Sequence, residues 1–194
     1  MATPPKSVDR RVRRTQQMLK QAFVEAVREK GFAETSVQEI AERANVNRGT
    51  FYSHFPDKYA LLDLVVHEQF QIYLANTLPP IPSKDPSFVH LLIEKVLIYF
   101  AEMKEGCHPM DLVIARAQQA AHEELTRLLR AWLTLNIQPG IHPRVPLDTI
   151  AQTMSQAILG AAIWQSEGTR PRPAAQAASD ILLILMEGVT QASK

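Results

Sequence analysis

A single cysteine, Cys107, stands in 194 residues, which excludes an intramolecular disulfide and any zinc site built on several cysteines. Glycine is scarce, at 7 residues, and none falls in a GxGxxG or GxxxxGK[ST] pattern, so phosphate cradles of those kinds are absent. Long apolar runs are missing too. The stretch Ile181 to Met186 is far short of the roughly 20 residues that a membrane span needs. Met1 to Arg14 is polar and basic where a secretory leader would be apolar, so the expectation is a cytoplasmic protein that does not enter the membrane. No nucleophile, base and oxyanion donor assemble by spacing, and His122-Glu-Glu124 lacks the second histidine of an HExxH metal motif. Cys107, His108 and Asp111 lie close together, but one cysteine with one neighbouring histidine is commoner as packing than as a ligand set. The expectation is therefore no enzyme, no cofactor and no metal.

What is present is enough chain for one or two small domains, 46% apolar, with a charge asymmetry hidden in the net value of +1. Residues 1–60 carry 11 Lys and Arg against 7 Asp and Glu, a balance of +4, and residues 61–194 carry 10 against 13, a balance of −3. A basic first third joined to a mildly acidic remainder points to a polyanion at one end. The densest basic run is Arg10, Arg11, Arg13 and Arg14, which reads equally as a solvated tail or as an arm that meets phosphates.

Apolar spacing then divides the chain into helices. Met18, Leu19, Ala22, Phe23, Ala26 and Val27 make one helical stripe over residues 15–30, and Gly31 ends it. Ser36-Val-Gln-Glu39 has the form of a capping box, with the Ser36 hydroxyl meeting the Glu39 N–H and the Glu39 carboxylate reaching back. A short helix over 37–44 would bury Val37, Ile40, Ala41 and Ala44. Asn45 suits the left-handed conformation of a tight turn, and Asn47 suits the N-cap of a third helix from Arg48 to about Phe55. Pro56 stops that helix, Asp57 caps a fourth over 58–77, and a connection of about three residues between the second and third is a helix-turn-helix spacing. Later prolines punctuate helices near 87–104, 109–119, 121–137, 147–167 and 174–191. Period-2 runs are no longer than four residues, so the class is all-α: a three-helix head over 1–57 with a basic arm, then a helical domain over 58–194.

The segment Asn47-Arg-Gly-Thr-Phe-Tyr-Ser-His54 mixes a cation, hydroxyls and an imidazole with the apolar Phe51, as a helix read against DNA requires. Phe51 and Phe55 would anchor it and leave Arg48, Gly49, Tyr52 and Ser53 outward. Arg48 suits bidentate contact with guanine O6 and N7, and Gly49 suits close backbone approach. Thr50, Tyr52 and His54 carry donors for phosphates, Lys58 adds a cation, and Gln38 at the start of the second helix suits a base edge.

The run from Lys30 to Leu62, with Ser36-Val-Gln-Glu39, Asn47-Arg-Gly-Thr-Phe-Tyr-Ser-His54 and Phe55-Pro-Asp-Lys58, resembles the DNA-binding domain of TetR-family transcriptional regulators over about residues 13–66. The resemblance implies a homodimeric all-helical regulator, usually a repressor, whose C-terminal domain binds a small molecule and thereby releases an operator. Its DNA contacts would fall on Ser36, Gln38, Arg48, Gly49, Thr50, Tyr52, His54 and Lys58. Asn47 replaces the commoner Ser at the third-helix cap, an equally good cap. An activator or an effector-independent DNA-binding protein is the alternative. A carrier or enzyme that merely contains such a head, and a non-specific DNA coat, are rivals of other classes.

Beyond residue 66 the resemblance carries no comparable motif. Phe70, Tyr99, Met103, Met110, Trp132 and Trp164 are an apolar and aromatic population suited to a cavity for an apolar or aromatic effector, with Arg116 and His122 as polar anchors. Ile150, Met154, Ala157, Ile158 and Ala161 form one stripe near the C-terminus, and Ile181, Leu182 and Leu185 belong to another. Either they face their own core or they build a four-helix bundle across a two-fold axis, and the family resemblance favours the second.

Overall fold

Capping and apolar periodicity set eight helices in the described residues of the computed structural model, which are 6–79, 85–106, 111–136, 145–168 and 172–187. They are α1 (Lys6–Glu34), α2 (Val37–Arg43), α3 (Arg48–His54), α4 (Lys58–Thr77), α5 (Ser87–Gly106), α6 (Asp111–Asn136), α7 (Leu147–Glu167) and α8 (Ala174–Glu187). No strand occurs among the described residues. No helix among them is long and apolar enough to cross a membrane.

Two boundaries differ from the sequence expectation. The basic run is not an irregular tail but the first turns of α1, which begins at Lys6 rather than near Thr15. The expected break near residue 120 is absent, and α6 is continuous. Residues 117–125 contain neither Gly nor Pro, and Ala117, Ala120, Ala121 and Leu125 keep one face buried straight through.

The chain divides into two compact units, Met1–Glu68 with His108–Ala117, and Gln69–Cys107 with Gln118–Lys194, so that α4 and α6 each contribute to both. In the first unit, α1 packs on α2 and α2 on α3. Its centre is Leu19, Phe23, Ile40, Phe51, Leu61 and Leu62, each at most 2% exposed. Gly31 breaks α1 with φ 84°, a conformation open to glycine and costly to other residues. Thr35 Oγ1 then donates to Gly31 O at 2.8 Å. The α2–α3 turn is a Schellman motif: Asn45, at φ 52°, donates its N–H to Glu42 O, and Val46 N–H donates to Ala41 O.

In the second unit α5 packs against α7 and α8 around Phe70, Leu92, Ile93, Leu125, Leu129 and Ile158. Polar ties also join its helices. Tyr73 Oη donates to Lys95 O at 3.0 Å, and burial pushes that hydroxyl's pKa up to about 12, with the Glu102 and Glu94 charges adding to it. The Ser155 hydroxyl donates to His122 O at 3.1 Å. Its one proton being used, it accepts from His122 Nδ1 at 2.9 Å, and the pair ties α6 to α7.

Candidate nucleic-acid interface

The short helix α3 is held at its start and from beneath. At its start Asn47 Oδ1 accepts from Thr50 N–H at 2.7 Å and from Thr50 Oγ1 at 3.0 Å. Beneath it Phe51 and Phe55 are buried with ring centroids 5.8 Å apart. This anchoring turns Arg48, Gly49, Tyr52 and Ser53 to solvent, as the spacing requires. Arg48 and Tyr52 are one turn apart and act as a unit. The guanidinium donates to Tyr52 Oη at 3.1 Å and lies 5.4 Å from the ring centroid, which holds the cation at the exposed rim. Gly49 has a local reason as well: a Cβ there would sit 3.2 Å from Asn47 Oδ1 and press on the cap.

Three expected contacts are engaged within the head. Ser36 Oγ accepts from Glu39 N–H at 3.2 Å, the first half of the capping box. The second half is absent, because the Glu39 carboxylate turns instead to Lys30 at 2.5 Å and Arg43 at 3.0 Å. Gln38, exposed, donates to Glu42 Oε1 at 2.6 Å. Lys58 is the clear correction. Its Nζ donates to Phe32 O, Ala33 O and Thr35 O at 3.0, 3.1 and 2.8 Å and lies 4.5 Å from the Phe32 ring centroid. All three N–H groups are engaged by the carbonyls left open by the Gly31 break, so Lys58 caps the end of α1 and has no donor left for a phosphate.

An ion cluster joins α1 and α2. Arg43 donates to both oxygens of Glu29, at 2.9 and 2.5 Å, and to Glu39. The hydrogen bond from Arg43 holds Glu29 below its ordinary pKa of 4.5, that from Lys30 does the same for Glu39, and the Glu29 hydrogen bond raises Arg43. Where α1 passes α3, Arg11, Val12 and Thr15 line one side of a cleft of about 500 Å³, and Asn47, Thr50, Ser53 and His54 the other.

Of the residues assigned to an effector site, Phe70 and Trp132 share one buried cluster in the second unit and Tyr99 packs against it. Phe70 is fully buried and meets Tyr99 edge-on, ring centroids 4.9 Å apart, while Trp132 is buried with an indole N–H that has no partner among the described residues. Met103 is half-buried and His122 is bonded to Ser155. Met110 lies outside the described residues, as do Cys107 and His108. Arg116 belongs to the first unit and pairs with Asp63 at 3.1 Å. Trp164 is 74% exposed and lines no interior. The sequence reading missed Glu124, a buried carboxylate that accepts from Arg127 Nε at 2.9 Å and Gln71 Nε2 at 3.3 Å, and the only linear signal was the Arg three residues on.

The C-terminal stripes also need correction. Met154 and Ile158 sit inside the core, and Ile150, Ile181, Leu182 and Leu185 pack against it. Ala161 is half-buried and Ala157 exposed. The outward apolar residues are Trp164, Leu183, Ile184 and Met186, between 49% and 74% exposed. Their signal was present, since 181–186 is apolar on every side, and a helix apolar all round has a second face to cover.

Residues 21–65 match the family described as bacterial regulatory proteins, TetR family. An HTH-type transcriptional regulator of Bacillus subtilis (strain 168), YxbF, is 37% identical over 62 residues, which are 31% of this chain and 16% of that protein. Three solved structures share the all-helical fold over most of their length. FadR of Bacillus subtilis, in complex with stearoyl-CoA, has a TM-score of 0.58 at 18% identity over 90% of this chain and 99% of its own. FadR of Thermus thermophilus, a TetR-family repressor in complex with lauroyl-CoA, has a TM-score of 0.56 at 21% identity over 92% and 97%. RolR in complex with resorcinol gives 0.61 at 20% identity over 91% and 89%.

Proposed function

From a chain whose N-terminal helix-turn-helix domain is that of the TetR family of bacterial regulatory proteins, we propose a cytoplasmic, sequence-specific transcriptional repressor that binds operator DNA as a homodimer. The observation that carries this is the outward face of α3. Arg48, Gly49, Tyr52 and Ser53 are exposed on a helix that Asn47 caps and Phe51 and Phe55 anchor. Such a helix enters a major groove, where Arg48 pairs with a guanine, Tyr52 steadies it, and Gln38 reaches a base edge from α2. Ser36, Asn47 and His54 meet the flanking backbone, while the Thr50 hydroxyl proton and N–H stay on the Asn47 cap. Residues 1–57 form the DNA-binding domain in this reading and 58–194 the effector and dimer domain.

Trp164, Leu183, Ile184 and Met186 supply the dimer contact. Large apolar side chains about half or more exposed on α7 and α8 are covered by the same face of a second copy. An apolar or aromatic effector in the second unit then favours one head separation, and weakens DNA binding by its differential affinity, about 1–3 kcal/mol in such couplings. The acyl-CoA and resorcinol complexes of proteins with this fold support that choice of ligand chemistry.

The test is a selection of random duplexes on the purified full chain at about 150 mM salt, where non-specific contacts are partly suppressed. Enrichment of a pseudo-palindromic motif supports a specific dimer. A pool without any enriched motif overturns sequence-specific regulation. Acyl-CoA thioesters and small phenols, added to the selected duplex, test the effector: release supports the repressor mechanism, and no change in affinity overturns it for those ligands.

A further inference from the structure

Most of the head's cations already hold a partner, and those without one among the described residues are Arg28 and three arginines at the start of α1. Lys20 pairs with Glu68 at 2.6 Å, Lys30 with Glu39, and Arg43 with Glu29 and Glu39. Lys58 is bound to three carbonyls, and Arg48 is held by Tyr52. Arg10, Arg11 and Arg14 are exposed on the first turns of α1, and their guanidinium groups hold no hydrogen bond or ion pair among the described residues. At about 100° per residue they fall within a single arc of roughly 100° on the helix surface.

Arg11 also lines the cleft against α3, and none of the described residues that line it is a carboxylate. Its hydroxyls are turned inward: Thr15 donates to Arg11 O at 3.1 Å, Thr50 to Asn47, and Ser53 to Thr50 O at 2.7 Å. The donors left to meet an occupant are the Arg11 guanidinium, the Asn47 amide nitrogen and the His54 ring. A concave surface with the Arg11 cation at its edge, beside a helical face of unpaired arginines, takes an anion.

We propose that the N-terminal turns of α1 are a second DNA-gripping element, in which Arg11 holds a backbone phosphate in the cleft against α3 and Arg10 and Arg14 engage the phosphates beside it. The inference rests on the reading that the head binds duplex DNA. It assigns the electrostatic part of binding to α1 and leaves base reading to α3. The full-chain variants Arg11→Gln, Arg11→Lys and the triple R10Q/R11Q/R14Q test it, each titrated on the selected duplex and on a scrambled one from about 50 to 200 mM salt. The slope of log affinity against log salt becomes shallower by about 0.9 for each phosphate that the variant no longer neutralises. The change is equal on both duplexes, thermal melting is unaltered, and Arg11→Lys keeps the slope. Wild-type slopes in both Gln variants overturn the inference alone. A wild-type chain that binds neither duplex overturns the DNA-binding reading and this inference with it.

Discussion

The two units keep their polar atoms differently. In the first, short helices are latched by directed contacts: the Asn47 cap, the Lys58 ammonium on three carbonyls, and Arg43 between two carboxylates. In the second, one large apolar cluster fills the space between longer helices, with a handful of polar ties and several large apolar side chains left outside. Helices of seven residues gain too little from their own backbone to persist, so α2 and α3 depend on caps and on burial of a few aromatic rings. The longer helices need only a continuous apolar face. The first unit therefore shows its role through exposed polar atoms on a rigid frame. The second shows its role through exposed apolar ones.

Breaking the first frame at its centre has the largest effect. Phe51→Ala removes a fully buried ring from under α3 and costs about 3–5 kcal/mol, visible by chemical denaturation as an early transition of the head while most helicity remains. A single transition of all helicity would show that the two units unfold as one. The second unit's outward face comes next. Ile184→Glu places a charge in the proposed dimer contact and weakens it by roughly 1–3 kcal/mol per buried site, so sedimentation shifts towards monomer while circular dichroism is retained. An unchanged dimer would place the contact elsewhere.

Two substitutions separate reading from bracing in the head. Arg48→Ala relaxes base preference at one position of each half-site, by about 1–3 kcal/mol on the selected duplex and much less on a scrambled one. Lys58→Met leaves three carbonyls without their donor and lowers the melting temperature of the head, about 1–2 kcal/mol, with the salt slope of DNA binding unchanged. A shallower slope would return Lys58 to the phosphate contacts. The smallest effect is that of pH. Glu29 and Glu39 titrate below 4.5 in the folded head, so the stability they contribute is fully present above that value and is lost as pH falls through their lowered values. Arg43→Gln flattens that acid-side loss, measured as head stability against pH.

Legibility along the chain follows the range of the interaction. Every local device in the head is readable from its neighbours: Ser36 and Asn47 as caps, Asn45 at positive φ, Gly31 as a break. Lys58 is misread because its partners lie 23 to 26 residues away, and no linear spacing tells an ammonium folded onto carbonyls from one left in solvent. Glu39 is half misread for the same reason, since Lys30 and Arg43 draw its carboxylate away from the backbone. In the second unit the periodic stripes are real, but periodicity marks an apolar face without saying what covers it. Ile158 and Leu182 face their own core, whereas Leu183 and Ile184, next to Leu182 in sequence, face out.

Sequence alone determined the helical class, the helix-turn-helix spacing and the composition of the α3 face, because caps, glycine and proline act over a few residues and apolar period acts over one helix. Tertiary structure alone decided which cations stay free, which apolar stripe is core and which is surface, and that α1 reaches forward to form a cleft with α3. These depend on distances between segments far apart in the chain. Charge and hydrophobicity are properties of a residue, but whether they are satisfied is a property of its neighbours in space.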